Sequence, residues 1–228
     1  MFVIFDLDGT LALRGEKTPE DAVELLEKLR EKGVKIALSS GKPTFYLCGF
    51  ARQLGLKDAI LIGENGAVIQ EGVELPPLFF EKAKIPEKTK KALGALREKM
   101  EEAFPDRIWY QPNETELTPF PFYPEDFPAI RNLIDSFITE EMELSVYQHP
   151  DCFDIQFKHL SKGQGIERLS LLTGVATKDM IAVGDWTNDY PMFEKVGYSV
   201  GIDLPDPEKA SVNVKNLTEA LQHILSLI

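Results

Sequence analysis

Four apolar residues in succession, Phe2-Val3-Ile4-Phe5, run directly into Asp6-Leu7-Asp8-Gly9-Thr10. A short unbroken apolar run reads as a strand buried on both faces, the pattern of an interior strand in a parallel sheet. The glycine lets the backbone turn sharply where that strand ends. In open α/β sheets ligands gather beyond the carboxyl ends of the strands, so Asp6 and Asp8 fall where a reactive crevice is expected. Carboxylates spaced i, i+2 repel each other unless a cation lies between them, which points to a hard divalent ion such as Mg2+. An Asp-Gly corner also suits a plain turn, so the pair needs support from elsewhere in the chain.

The rest of the chain supplies a repeating pattern. Thr18-Pro19-Glu20-Asp21 carries the marks of a helix start, and Val23, Leu26 and Leu29 follow at helical spacing until Gly33. Val34 to Leu38 reads as a second buried strand, Pro43 to Leu54 as a helix, and Ala59 to Ile62 as a third strand. Near the end, Ile181 to Val183 and Tyr198 to Gly201 read as strands, and Leu217 to Leu227 as a helix capped by Asn216. Strands alternating with helices predict right-handed crossovers and a parallel sheet covered on both faces. The expected fold is a doubly wound, Rossmann-like α/β core.

The middle departs from that rhythm. From about residue 79 to 158 the order becomes helix, two strands, helix, two strands, with Glu87 to Phe104 the first helix and Ile130 to Ile138 the second. The strands are read at Ile108 to Gln111, Thr115 to Leu117, Glu143 to Tyr147 and Phe153 to Phe157, with prolines punctuating residues 119 to 128. The predicted organisation is therefore a core of residues 1–78 and 159–228 interrupted by an α+β insert, residues 79–158.

Composition excludes several classes. The apolar fraction is 43% and the charged fraction 27%, those of an ordinary globular chain. A net charge of −12 leaves little basic surface to neutralise phosphates, which argues against a nucleic-acid partner. Apolar runs are too short to span a membrane, and the first residues lack the pattern of a secretion signal, so a cytoplasmic location is expected. Cys48 and Cys152 lack CxxC spacing and suggest neither a zinc site nor a disulfide framework. Gly41-Lys42 is not a P-loop, because the required earlier glycine is Ile36. His149, His159 and His223 are scattered and read as structural or surface residues, although His149 could touch a substrate from its loop.

Four polar clusters remain: Asp6/Asp8, Ser39-Ser40-Gly41, Ser161-Lys162-Gly163, and Gly184-Asp185-Trp186-Thr187-Asn188-Asp189. Each alone has an ordinary reading as a cap, a turn or a solvated lysine; their order along the chain is the specific signal. That order resembles the four motifs of the haloacid dehalogenase superfamily, and its phosphatase branch in particular. Asp6 to Thr10 matches DxDGT, and Ser40-Gly41-Lys42 stands where Thr-Gly-Arg is usual. Lys162 matches the third motif, and Gly184-Asp185 through Asn188-Asp189 matches GDxxND. The insert between the second and third motifs is similar to the type IIB cap of the Cof-like group, as is the turn Glu64-Asn65-Gly66-Ala67.

The resemblance implies a set of roles. Asp6 would be the nucleophile forming an aspartyl-phosphate, and Asp8 the general acid and then base. Ser40, Gly41, Lys162 and Asn188 would hold the phosphoryl group. Asp6, Asp8 (through its backbone carbonyl), Asp185 and Asp189 would ligate Mg2+. The expected activity is hydrolysis of a small phosphorylated metabolite, with phosphoglycolate and sugar phosphates the substrates of similar enzymes, by a monomer or homodimer. A phosphomannomutase-like phosphotransferase is the alternative, weakened by an insert holding only Arg97, Arg107 and Arg131. A phospho-accepting signalling receiver would be shorter and would lack GDxxND.

Overall fold

The computed structural model describes residues 1–228. The chain forms two compact units, Met1–Lys82 with Ser161–Ile228, and Ala83–Leu160. The larger unit begins with β1 (Phe2–Phe5), α1 (Glu20–Glu31), β2 (Lys35–Ser39), α2 (Thr44–Gln53), β3 (Ile60–Gly63), β4 (Val68–Glu71) and β5 (Phe79–Lys82). The smaller unit holds α3 (Glu87–Ala103), β6 (Ile108–Tyr110), β7 (Pro119–Pro121), α4 (Phe127–Phe137), β8 (Leu144–Gln148) and β9 (Phe153–Phe157). The chain then completes the larger unit with α5 (Lys162–Thr173), β10 (Met180–Gly184), α6 (Tyr190–Phe193), β11 (Tyr198–Ile202), β12 (Val212–Val214) and α7 (Leu217–Leu227).

The larger unit is an eight-stranded sheet in the order β12-β11-β10-β1-β2-β3-β4-β5. Neighbouring strands from β12 to β3 are parallel, whereas β4 and β5 add to the edge as antiparallel strands. From β1 the chain moves outward through β2 and β3 on one side, and later through β10 and β11 on the other. The strand order thus reverses at β1, and in open α/β sheets ligands bind beyond the carboxyl ends of the strands at such a point.

Alternation along β1 explains the two layers. Val3 and Phe5 enter an apolar cluster with Leu26 and Leu29 of α1, Leu47 of α2 and Leu221 and Ile224 of α7. Phe2 and Ile4 enter a second cluster with Ile166 and Leu169 of α5 and Met192 of α6. All four β1 residues are fully buried, which is why the run contains no polar residue. Asp6 N–H still donates to Val183 C=O at 2.9 Å, so the sheet holds the backbone in place just as the side chains turn polar.

Two features of the larger unit differ from the pattern read in the sequence. Phe79–Lys82, placed at the start of the insert, is an edge strand pairing with β4 from Phe79↔Glu71 to Lys82↔Val68. Its partner strand Val68–Glu71 had no counterpart in that reading. Helix α1 starts at Glu20 with Pro19 as its N-cap, so Thr18 supplies no side-chain cap.

The smaller unit has its own core, in which Leu96 and Met100 of α3 and Ile130 and Ile134 of α4 pack on Phe153 and Ile155 of β9. Its strands form two antiparallel pairs, β6–β7 and β8–β9, linked by a bridge from Leu117 to Ile155. The partner of β6 is Pro119–Pro121 rather than Thr115–Leu117. Bonds from Gln111 N to Thr118 O (3.0 Å) and from Phe122 N to Arg107 O (2.9 Å) put the ladder on the even-numbered residues. Pro119 and Pro121 fall between them, where no N–H is needed.

Close packing of α5 against the β3–β4 turn seats the start of that helix. A Cβ on Gly165 would lie 2.8 Å from both Gly66 Cα and Ile62 Cγ2, leaving no room for a side chain. Gly165→Val is expected to lower stability by about 1–3 kcal/mol through overpacking, read as a reduced thermal midpoint by circular dichroism. An unchanged midpoint would mean the helix is free to move outward.

Candidate active site

Asp6 follows β1 with its backbone still bonded to β10. Its side chain is buried, and its Oδ1 accepts a hydrogen bond from Lys162 Nζ at 2.5 Å. Lys162 is the first residue of α5, after Ser161, whose hydroxyl caps the helix by accepting from Gln164 N. The same ammonium donates to Asp189 Oδ1 at 2.6 Å. One lysine, 1% exposed, therefore bridges two buried carboxylates that lie far apart in the chain.

Asp189 is completely buried, and its second oxygen is also engaged. Oδ2 accepts from the backbone N–H groups of Asp185 (3.0 Å) and Trp186 (3.2 Å), which ties the turn after β10 onto itself. Asp185 Oδ1 accepts from the hydroxyl of Thr10 at 2.6 Å. Gly9, at φ 92°, makes that approach feasible, because a Cβ there would collide with the Asp185 carboxylate. An L side chain would also be strained at this positive φ.

Electrostatics follow from this crowding. Burial pushes the Asp6 carboxyl up to about 8, against the pull of Lys162 and with Asp189 and Asp185 adding to the rise. Burial likewise pushes Asp185 up to about 6, opposed by its bond from Thr10. Lys162 is pulled down by burial, but Asp189 and Asp6 outweigh that and hold it above its ordinary value. Three carboxylates around one ammonium leave an excess of negative charge in a space with little water.

A ligand oxygen from each of Asp6, Asp185 and Asp189 lies within 4.8 Å of the other two. Three hard oxygen donors with surplus negative charge fit Mg2+ in type and in electrostatics. The cluster could hold such a metal.

Other residues singled out in the sequence sit around this centre. Asp8 forms an ion pair with Lys42. Ser40 follows β2; its N–H donates to Ile62 O at 3.0 Å, and its hydroxyl accepts from Lys42 N at 3.2 Å. Gly41 lies between them on the same turn. Asn188 is half-buried on the turn with Asp189 and makes no hydrogen bond to the other members. The structure thus joins Asp6, Lys162, Asp185 and Asp189 directly, while Ser40, Gly41 and Asn188 are neighbours by backbone position.

Two participants had no role in the sequence reading. Thr10 anchors Asp185, and its signal was the hydroxyl closing the DxDGT motif. Lys42 holds Asp8 and lies 5.3 Å from the centroid of the Tyr46 ring. Its signal was a cation where the second motif usually carries arginine.

With fold and geometry established, the comparisons with known proteins are specific. Residues 3–114 and 115–215 match the haloacid dehalogenase-like hydrolase family. A phosphoglycolate phosphatase of Methanococcoides burtonii is 25% identical over 236 residues, covering 98% of this chain and 96% of its own. Phosphoglycolate phosphatase 1 of Saccharolobus solfataricus is 27% identical over 210 residues, covering 90% and 84%. Among solved structures, a haloacid dehalogenase-like hydrolase from Bacteroides thetaiotaomicron superposes with a TM-score of 0.79 at 16% identity, covering 98% of both chains. A subclass IIB sugar phosphatase of the same superfamily gives 0.73 at 21% identity, covering 100% of this chain and 99% of its own. The chain belongs to the haloacid dehalogenase-like hydrolases. The family is one of hydrolases, and the two relatives just described are phosphatases.

Replacing Lys162 with methionine removes the bridge and leaves Asp6 and Asp189 facing each other without a counter-charge. Loss of one partner of a buried ion pair is expected to cost about 3–5 kcal/mol, measured as a fall in the thermal midpoint. A midpoint unchanged from the native chain would show that the ammonium does not hold the two acids together.

Proposed function

We propose that this chain is a Mg2+-dependent phosphatase that hydrolyses phosphoglycolate or a small sugar phosphate through an aspartyl-phosphate on Asp6. The observation that carries this reading is the buried Lys162 ammonium shared by Asp6 and Asp189, with Asp185 beside them, at the carboxyl end of the central strand. The names of the curated relatives support the choice of substrate class.

A metal held by Asp6, Asp185 and Asp189, with the backbone carbonyl of Asp8, would neutralise phosphoryl charge and keep Asp6 ionised. The chain's own groups do the rest. An oxygen of Asp6 attacks phosphorus, and the bond from phosphorus to the substrate's alkoxy oxygen breaks. Asp8 gives that oxygen a proton, so the product leaves as a neutral alcohol. Asp8, now a carboxylate, takes a proton from water as the water attacks the phosphoryl group. The acyl-phosphate bond breaks, and inorganic phosphate and the original Asp6 are restored.

Lys162 balances charge on the equatorial oxygens, and the Ser40 hydroxyl, the Gly41 backbone and Asn188 orient them. Phosphate monoester hydrolysis can require accelerations up to ~10²¹-fold, which accounts for so many charged groups in one place.

Hydrolysis is favoured over the mutase reading by the arginines of the smaller unit. Arg97 pairs with Glu101, Arg107 with Asp126, and Arg131 with Asp135, so they do not form a cluster for a second phosphate.

Phosphate release from phosphoglycolate, hexose phosphates and glucose 1-phosphate with its bisphosphate activator, with Mg2+ or with chelator, tests the proposal. Release that depends on Mg2+ is expected for one preferred substrate; isomerisation without release would overturn it. Asp6→Asn should reduce release to background with an unchanged circular dichroism spectrum, and retained turnover would remove Asp6 as nucleophile. Asp185→Ala should raise the Mg2+ concentration needed for half-maximal activity, and an unaltered Mg2+ dependence would remove it as a ligand.

A further inference from the structure

The smaller unit contains a second cluster of side chains of metal-ligating type, of different chemistry. The β8–β9 hairpin turns through His149-Pro150-Asp151-Cys152 and is closed by a bond from His149 N–H to Cys152 C=O at 2.9 Å. Along β9, Phe153 and Ile155 point into the apolar core, so Cys152 and Asp154 alternate onto the opposite face. One ligand atom from each of His149, Cys152 and Asp154 lies within 4.8 Å of the other two. His149 Nε2 and Asp154 Oδ2 are 3.0 Å apart.

These side chains are held from behind. Thr118 Oγ1 donates to Asp154 Oδ1 at 3.1 Å, and Asn113 Nδ2 donates to Thr118 Oγ1 at 3.1 Å. That relay fixes one carboxylate oxygen and turns the other toward the imidazole, the kind of outer support that orients metal ligands. Cys152 is 4% exposed and Asp154 is 6% exposed.

We propose that His149, Cys152 and Asp154 form a binding site for a borderline divalent transition metal, Zn2+ foremost, with one coordination position left for water. Zinc accepts imidazole nitrogen, thiolate sulfur and carboxylate oxygen together, with bonds of about 2.0–2.3 Å and donors about 3.5 Å apart. Magnesium, which takes oxygen ligands, is a poor match for the thiol, so the two metal chemistries of the chain are separable. Binding displaces the thiol proton to solvent and fixes the imidazole as the neutral ligand, so loading releases protons. The pattern was missed in the sequence because it is a single cysteine in a His-x2-Cys-x-Asp spacing rather than a cysteine pair.

The test is a spectroscopic titration of the full chain, stripped with chelator and dialysed, using Co2+ alone and then Zn2+. The expected result is a near-ultraviolet thiolate-to-cobalt band with tetrahedral visible bands, saturating at a stoichiometric amount and displaced by Zn2+. Cys152→Ser should abolish the thiolate band, and His149→Gln or Asp154→Asn should weaken Co2+ binding at least about tenfold. Asp185→Asn should leave the bands intact. Absence of the thiolate band in the native chain overturns the proposal without any variant. Persistence of that band in Cys152→Ser, or its loss in Asp185→Asn, overturns it equally.

Discussion

The arrangement of the larger unit depends on one buried ammonium. Lys162 neutralises Asp6 and Asp189 at once, at 2.5 and 2.6 Å, where neither carboxylate has enough water to be stable alone. Everything around it serves that contact. Gly165 lets α5 come close enough to the β3–β4 turn to deliver the lysine, and the backbone N–H groups of Asp185 and Trp186 fix Asp189. The sheet bond from Asp6 to Val183 holds the other acid. One cation for three carboxylates is still too little, and the remaining imbalance is the property that would let the cluster accept a divalent ion. Burial, only partly offset by the nearby ammonium, raises the carboxyl pKa of Asp6 and of Asp185, and the same surplus of negative charge suits the cluster to a divalent ion.

Much of this was legible before any coordinates. The fully apolar run of β1 could only be an interior strand, and the acids after it had to meet whatever emerged from the neighbouring strand ends. That Asp6, Lys162, Asp185 and Asp189 share one site is what the resemblance in motif order implies. Contacts that depend on side-chain reach could not be read in that way. The Lys42–Asp8 pair joins residues 34 positions apart across adjacent strand ends, and nothing local announces it. Strand β5 lay beyond local reading for another reason: it alternates half-buried and exposed residues, so its pairing is decided by β4. In the smaller unit, prolines moved the partner of β6 along the chain, because register follows which residues can do without an N–H.

The two clusters of ligating groups differ in donor type. The larger unit offers carboxylates only, a set that suits a strongly hydrated ion. The proposed set in the smaller unit mixes nitrogen, sulfur and oxygen on one hairpin and suits an ion that forms more covalent bonds. Each set is built on a different compact unit and supported by its own hydrogen bonds.

The order of strands in the sheet has a consequence for how the protein comes into being. Strand β1 is synthesised well before its neighbour β10, and Asp6 waits 156 residues for Lys162. Until α5 and β10 leave the ribosome, one edge of β1 has no partner, and the two acids after it lack their counter-charge. An unfinished or truncated chain therefore carries an open apolar strand edge, vulnerable to wrong pairing. Completion of the site and pairing of the second edge of β1 therefore depend on the same distant segments, α5 and β10.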